Sequence, residues 1–435
     1  MLRAFICVVF SIGLTLCSFA PWAEADEEEG SGRQAFLGAL IVTGTAPPIE
    51  DGVILARYGR ITSVGERWAG DIPEDAERID VSGKVIIPGL VNTHGHVGGT
   101  QGLESATEFH TAEIVAEQLA RYARYGVTSV FSLGGDRGAG LRAADERERQ
   151  GIDHARLFVA GPLIEATTPA DAERWVGRAT AMQLDLIQIR VDDEFDSVTK
   201  MPPHVYARII EKAHAVDLRV ATHVYELADA KGVVAAGADM LARSIRDQEV
   251  DDELIALLKE RNVCVCPALM REVAAFAYAR TPTFFDDPFF LNEADATVLE
   301  ALRAPARQQE VTADPLTKRA RDAFEIAKRN LKKLADAGVT IAFGTGSGPP
   351  AQFPGYFEHM ELALMVEAGL TPGQVLRAAT VDAARCLGEA GRVGSLDPGA
   401  WADFIVLNAD PSQDILNARQ IDSVWIAGTR VPARK

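Results

Sequence analysis

The middle of the chain alternates between strand-like and helix-like segments, and this alternation limits the fold more than any other feature. Helical patterns such as Ala112–Tyr125, His204–Ala215, Asp251–Arg261 and Leu316–Ala337 separate apolar runs typical of buried strands. Units of this kind over about 300 residues predict a (β/α)8 barrel, whose functional side chains lie at the C-terminal ends of its strands. The predicted strands are Val85–Asn92, Val127–Leu133, Leu157–Gly161, Leu184–Val191, Arg219–His223, Asp239–Arg243, Val263–Pro267 and Thr340–Gly344.

Short β patterns flank this region at both ends of the chain, and they predict a small β-sandwich to which both ends contribute. The fold class is therefore α/β, a TIM barrel with a β-sandwich. The predicted divisions are a signal peptide at 1–25, the two sandwich parts at 26–85 and 391–435, and the barrel at 86–390. An insert at 271–314, rich in Phe and Tyr, is interpreted either as a satellite subdomain or as a lid over the barrel mouth.

The first 25 residues resemble a secretory signal peptide. Arg3 precedes the apolar run Ala4–Phe19, and Ala23-Glu24-Ala25 fits a small-x-small cleavage site. An uncleaved membrane anchor is the alternative, although the run is short for a membrane span. We therefore expect a periplasmic or secreted protein with no membrane attachment after cleavage.

Charge and cysteine content exclude several classes of partner and chemistry. A net charge of −18 argues against binding to nucleic acid or anionic lipid. The mature chain would keep Cys264, Cys266 and Cys386, an odd number that does not suggest a disulfide framework. We expect Cys264 and Cys266 to be core residues.

Three histidines follow predicted strands and form a candidate metal site. His94 and His96 end the first strand two residues apart, so their side chains point the same way and can reach one ion. His223 ends the fifth strand. Three histidines and a water are a known zinc arrangement.

Longer motifs around these residues resemble the amidohydrolase superfamily, and within it the imidazolonepropionase and Xaa-Pro dipeptidase-like branch. The resemblance covers nearly all of the mature chain. It rests on Pro88–His96, on Ala378-Ala379-Thr380 with Ala383–Gly388, and on Gly394–Asp403.

The resemblance implies a site with one or two divalent metals, but three of its ligand positions are altered here. Family members use the His-x-His pair, a carboxylated lysine on strand four, histidines on strands five and six, and an aspartate on strand eight that also acts as general base. His94, His96 and His223 match this pattern. Gln188 stands in place of the lysine, Arg243 in place of the strand-six histidine and Gly346 in place of the aspartate. Arg190, two residues after Gln188, is the alternative position on strand four.

These replacements argue against a two-metal centre. Gln188 cannot form a carbamate, Gly346 has no side chain, and Arg243 adds a permanent cation. We expect at most one divalent metal, zinc, or none. In an alternative interpretation Arg243 binds an anion, a carboxylate or phosphate, or it fills the vacated space and pairs with a carboxylate such as Asp247.

No catalytic group is intact at the expected general-base position, Gly346. The carboxylates considered as replacements are expected to be loop or surface residues: Asp136, Asp192, Asp193 and Glu226. The leading hypothesis is thus a catalytically impaired homologue of a carbon–nitrogen hydrolase that binds a small molecule or peptide in the barrel mouth. The alternative is an active mononuclear zinc amidohydrolase or dipeptidase that uses His94, His96 and His223.

Overall fold

The structure is a computed structural model that describes residues 32–67, 71–193 and 198–434. The predicted signal peptide and the acidic run Asp26–Glu29 lie outside these residues.

Strands and helices alternate through most of the described chain. The strands are β1 Arg33–Ile41, β2 Ile49–Arg57, β3 Arg60–Glu66, β4 Glu77–Asp80, β5 Val85–Pro88, β6 Leu90–Gly95, β7 Thr100–Gln101, β8 Glu104–Ser105, β9 Val127–Ser132, β10 Arg156–Val159, β11 Leu186–Val191, β12 Arg219–Val224, β13 Met240–Leu241, β14 Cys264–Val265, β15 Phe404–Leu407, β16 Ile421–Ile426 and β17 Thr429–Arg430. The α-helices are α1 Ala112–Arg124, α2 Gly138–Asp145, α3 Pro169–Ala181, α4 Pro203–His214, α5 Leu227–Ala236, α6 Asp252–Arg261, α7 Leu269–Ala274, α8 Pro288–Leu291, α9 Ala296–Arg303, α10 Pro305–Ala313, α11 Pro315–Asp336, α12 Tyr356–Glu367, α13 Pro372–Ala378 and α14 Val381–Cys386.

The two ends of the chain pair in one continuous sheet. Its order is β17-β16-β15-β5-β1-β2-β3, with β4 paired to β1. The contact between the ends is the antiparallel pair β15–β5. Phe36 packs edge-on against both Phe404 and Trp425, with ring centroids 4.8 Å apart in each case. Aromatic pairs of this geometry stabilise the sheet beyond the area they bury.

Parallel strands make up the middle of the chain, as the alternation predicts. They form the groups β10-β9-β6 and β11-β12-β13-β14. Parallel bridges join Ile164 to Ile189 and Val265 to Ile341. The Thr93 amide of β6 donates to the Phe343 carbonyl at 2.9 Å, so the segment predicted as the eighth strand also contacts β6. His94 and His96 lie at the carboxyl end of β6 and His223 at that of β12, whereas Gln188 lies within β11 and Arg243 follows β13.

The first predicted strand, Val85–Asn92, is wrong as one element, because the chain bends at Gly89. Residues before the bend belong to β5 of the terminal sheet, and those after it to β6, which pairs with β9. A Cβ on Gly89 would lie 2.1 Å from Thr128 Oγ1, so only glycine permits this close approach.

The helix predictions agree with the structure to within one or two residues, and the later strands are shorter than predicted. Helix ends follow the expected caps. For example, Thr111 accepts a hydrogen bond from the Ile114 amide at the start of α1. β13 and β14 have two residues each, and the predicted eighth strand contains a single bridge at Ile341.

The aromatic residues of the insert pack against the rest of the chain. Phe284, Phe285 and Phe290 lie in one cluster with Tyr356 and Phe357 of α12. The segment also begins with α7, whose residues enter the candidate site.

Cys264 is a core residue, as expected, but it also forms a disulfide, which the odd number of cysteines did not suggest. Cys264 on β14 and Cys386 at the end of α14 form a disulfide that joins positions 122 residues apart. Cys266 is buried and free, as expected. Spacing along the chain could not reveal this pair, because the fold alone brings the two cysteines together.

Over the residues described, we find no helix with the length and apolar character needed to span a membrane.

Candidate functional site

His94 and His96 are held by backbone carbonyls at the end of β6. His94 Nδ1 lies 2.7 Å from the Ala242 carbonyl oxygen, and His96 Nδ1 lies 3.4 Å from that of Gly134. Because a carbonyl only accepts, each ring donates from Nδ1 and keeps an Nε2 lone pair. The ring centroids are 5.3 Å apart. This is the tautomer and spacing that a metal ligand pair requires.

Burial keeps both imidazoles neutral. It lowers the pKa of His94 well below its usual value, and the nearby His96 acts in the same direction. Burial, followed by the Arg271 guanidinium, lowers the pKa of His96 to about 4.

His223, the third histidine, is bound to an arginine. Arg243 NH1 lies 3.0 Å from His223 Nε2. A guanidinium only donates, so Nε2 is the acceptor, and the lone pair that would bind a metal is already used. Burial, with the charges of Arg243 and Arg246, lowers the pKa of His223 well below its usual value.

A buried carboxylate fixes Arg243 in this place. Arg243 NH2 donates to Glu272 Oε1, and Arg246 Nε lies 2.9 Å from the same oxygen. Burial alone would raise the pKa of Glu272, but the guanidinium groups of Arg243 and Arg246 outweigh it and hold the pKa below its usual value. The expected partner Asp247 is wrong, because Asp247 instead accepts from the Leu227 amide.

Arg271 takes the space beside Gly346 where an aspartate side chain would lie. Gly346 has φ +69°, and a Cβ built on it would lie 3.2 Å from Arg271 Cδ. Arg271 NH1 donates to the Gly346 carbonyl at 3.3 Å and to Gln352 Oε1 at 2.9 Å. The Gly346 amide donates to the His94 carbonyl at 2.6 Å, so this turn is tied directly to β6.

Gln188 is buried on β11 next to the turn after β9. A Cβ on Gly134 would lie 2.7 Å from Gln188 Oε1, which places the amide beside the residue that holds His96. Arg190, the alternative strand-four position, lies opposite His223 in the register of β11 and β12.

The four carboxylates considered as general bases all lie outside the helices and strands, as expected, but two of them are buried. Asp136 is 2% exposed and accepts from the Gly161 amide at 3.0 Å, and burial raises its pKa to about 7. Asp192 is 7% exposed, with its Oδ2 3.6 Å from His223 Nε2. Asp193 and Glu226 are more exposed and lie near the Lys200 ammonium, at 3.7 and 3.1 Å.

The residues present do not fit a metal centre of the family's kind. Within residues 32–67, 71–193 and 198–434 there is no group of three or more His, Cys, Asp or Glu side chains placed to hold a metal ion. The physical reason is visible at His223, whose Nε2 is bound by a cation rather than open toward His94 and His96.

The sequence analysis missed three charged residues of the site: Arg246, Arg271 and Glu272. Arg246 follows Arg243 by three residues, and Arg271 and Glu272 begin the insert directly after the seventh strand. Position after a barrel strand was therefore an available signal. The pairing of Glu272 with two arginines could not be predicted from the sequence, because it depends on the direction of α7.

The sequence matches the profile of the Amidohydrolase family over residues 85–431. The chain belongs to this family. An imidazolonepropionase from Deinococcus deserti is 42% identical over 104 residues, which are 23% of this chain and 26% of that relative. A 5-methylthioadenosine/S-adenosylhomocysteine deaminase from Symbiobacterium thermophilum is 24% identical, with 86% of each chain covered.

Solved structures share the fold. A Xaa-Pro dipeptidase with bound methionine in its active site superposes with a TM-score of 0.72 at 17% identity, covering 92% of this chain and 99% of that one. The family assignment from the motifs is thus confirmed, and the amidohydrolase fold consists of an α/β barrel with an additional domain.

Proposed function

We propose that this amidohydrolase-family protein is impaired as a two-metal carbon–nitrogen hydrolase and binds an anionic small molecule or peptide at the mouth of its barrel. The observation that carries the proposal is the Arg243–His223 contact, in which a guanidinium occupies the ligand atom of the third histidine. The family relationship supports descent from a metal-dependent hydrolase of carbon–nitrogen bonds.

Charge supports the loss of metal. A divalent ion near His94 and His96 would meet the cations Arg243 and Arg271 and no carboxylate at position 346. The carboxylate nearest to Arg243, Glu272, is already bound to two guanidinium groups. Bound ions dominate the local field of such a site, so uncompensated positive charge opposes their binding.

Loss of the eighth-strand carboxylate also removes the general base. A positioned base contributes about 10²–10⁴-fold to rate. Asp136 is buried with its own amide donor, and Asp192 lies beside His223 and Arg246, with its Oδ2 3.8 Å from Arg246 NH2. Neither reproduces the position of an aspartate at 346.

A single zinc held by His94, His96 and His223 is the second candidate. The Nδ1 contacts of His94 and His96 favour it, because they leave both Nε2 atoms as acceptors. It requires Arg243 to move away from His223.

We also propose the domain organisation of the chain and its location in the cell. The strand groups, with their bridges and the Thr93–Phe343 hydrogen bond, support a closed (β/α)8 barrel at 86–390, with the insert at 271–314. The terminal sheet supports the sandwich parts at 26–85 and 391–435. A cleaved signal at 1–25 and a periplasmic or secreted location agree with the Cys264–Cys386 disulfide, since such bonds persist in oxidising compartments.

Elemental analysis of the mature protein, purified without chelator and then offered excess zinc, tests the proposal. We expect no retained stoichiometric metal and no chelator-sensitive hydrolysis of dipeptides or cyclic amides. One zinc per chain that is lost in His223→Ala would instead establish the mononuclear hydrolase.

A further inference from the structure

We propose that Arg271 and Arg243 together bind the carboxylate of a small organic acid, so that two guanidinium groups receive the ligand where metal ions would lie in the parent site. This inference rests on the proposed function and names the ligand class. It assigns a binding role to Arg271, which lies outside the ligand pattern of the family motifs.

The two arginines approach the same group of histidines from different elements. Arg243 follows β13 and contacts His223, whereas Arg271 lies on α7 and contacts the Gly346 turn. The Gly346 turn is itself bonded to His94, since the Gly346 amide donates to the His94 carbonyl at 2.6 Å. Arg243 thus contacts the histidine at the end of β12, and Arg271 contacts the turn tied to the histidine at the end of β6.

A neighbouring carboxylate holds Arg243 in the site. Glu272 is shared by Arg243 and Arg246, and Asp192 lies within 3.8 Å of Arg246. Arg243 Nε, moreover, is a buried donor without a hydrogen-bond partner among the described residues.

The site is partly open, and its geometry suits a carboxylate. The side chains of His223 and Arg243 keep 14% and 15% of their exposure. The guanidinium is a planar fork that matches the two oxygens of a carboxylate. The uncharged Nε2 atoms of His94 and His96 accept hydrogen bonds, so an amide or hydroxyl on the same ligand has acceptors beside the arginines.

A buried glutamate on α12 holds the start of α7, the helix that carries Arg271. Glu361 accepts from the amides of Leu269 and Met270, at 2.9 and 2.7 Å, at the start of α7. Glu361 is therefore a positioning residue, and Arg271 is held in place before any ligand arrives.

Calorimetric titration with N-acetylglycine and with its neutral match N-acetylglycinamide tests the inference. We expect one N-acetylglycine per chain, with the amide at least about 10-fold weaker, since hydrogen bonds to charged groups are the stronger class. Arg271→Gln and Arg243→Gln should each weaken binding by about 10-fold or more, and Arg271→Lys by less than Arg271→Gln. Arg329→Gln, which alters an exposed pair with Glu249, should leave affinity within about twofold.

Thermal melts of each variant show whether it is folded. Equal affinity for the acid and the amide, unchanged affinity in Arg271→Gln, or a dissociation constant above about 10 mM would overturn the inference. Preference for inorganic phosphate would overturn the carboxylate assignment. If the chain binds neither zinc nor N-acetylglycine, only this inference is overturned. If the chain retains zinc, the proposed function is overturned.

Discussion

The two sides of the candidate site have kept different chemistry. On the β6 side, His94 is buried and His96 is partly buried; both are tethered through Nδ1, which leaves Nε2 able to ligate. On the opposite side, Arg243 is bonded to His223 and to Glu272, and Arg271 lies beside Gly346. The difference teaches that one half of a site can keep its histidines while the other half holds a network of arginines and a carboxylate.

Restoring the ligands gives the largest expected effect. Gln188→Lys, Arg243→His and Gly346→Asp together would be the simplest repair, but a Cβ at position 346 would lie 3.2 Å from Arg271 Cδ, so the aspartate competes with that side chain for space. We expect the triple variant to stay metal-free and the quadruple variant with Arg271→Ala to gain about one zinc per chain. Elemental analysis of both measures this.

If the triple variant bound zinc, Arg271 would have to move aside freely. That result would contradict the view that only the β6 side can still ligate a metal. Arg271→Ala without the other changes is the matched control and should bind no zinc.

Removal of Glu272, the carboxylate shared by Arg243 and Arg246, directly tests the network on the side opposite β6. Glu272→Gln leaves Arg243 and Arg246 without their common anion in a buried place, and we expect a loss of about 3–5 kcal/mol in the free energy of unfolding. Chemical denaturation measures it. Glu249→Gln, at an exposed pair with Arg329, should change stability by less than about 1 kcal/mol. A similar small loss for Glu272→Gln would mean that the network does not hold the site together.

The disulfide joins Cys264 on β14 to Cys386 at the end of α14, a helix that contacts β6. A closed loop of 122 residues restricts the unfolded chain, and we expect Cys264→Ser with Cys386→Ser to destabilise the protein by about 2–4 kcal/mol. The midpoint of denaturation, measured with and without reductant, provides the test. Reductant should have no effect on the double variant; equal midpoints for the native protein in both conditions would refute the bond.

The smallest expected effect is on pH dependence. The pKa of His96 is lowered to about 4 by burial and Arg271, and that of His359 to about 4 chiefly by burial. In the unfolded chain both have values near 6.5, so each contributes stability that is full above about pH 6.5 and is lost as pH falls toward about 4.

Replacing either histidine by glutamine should reduce this slope by up to about 1.4 kcal/mol per pH unit. Stability curves between these pH values measure it. Equal slopes for His96→Gln and the native protein would show that His96 is charged in the folded state, and would contradict the neutral β6 pair.

The sequence predicted the elements whose signal is local. Helical patterns placed α1, α4, α6 and α11 to within one or two residues, and spacing placed His94 and His96 together at the end of β6. Motif resemblance gave the family and the altered positions Gln188, Arg243 and Gly346.

Features that depend on how distant elements pack together could not be predicted from the sequence. The need for glycine at position 89 comes from the approach of Thr128, and the Cys264–Cys386 bond joins elements far apart in the chain. Arg271 lies in a segment whose composition indicated only an aromatic insert. Its role follows from the path of α7, which Glu361 fixes from another helix.

The central claim is that Arg243, and not a metal, occupies the ligand atom of His223. Crystals grown with excess zinc and measured on both sides of the zinc absorption edge test it most directly. The account predicts no anomalous peak between His94, His96 and His223, with the Arg243 guanidinium on His223 Nε2. A strong peak within bonding distance of the three Nε2 atoms, with Arg243 turned away, would contradict it.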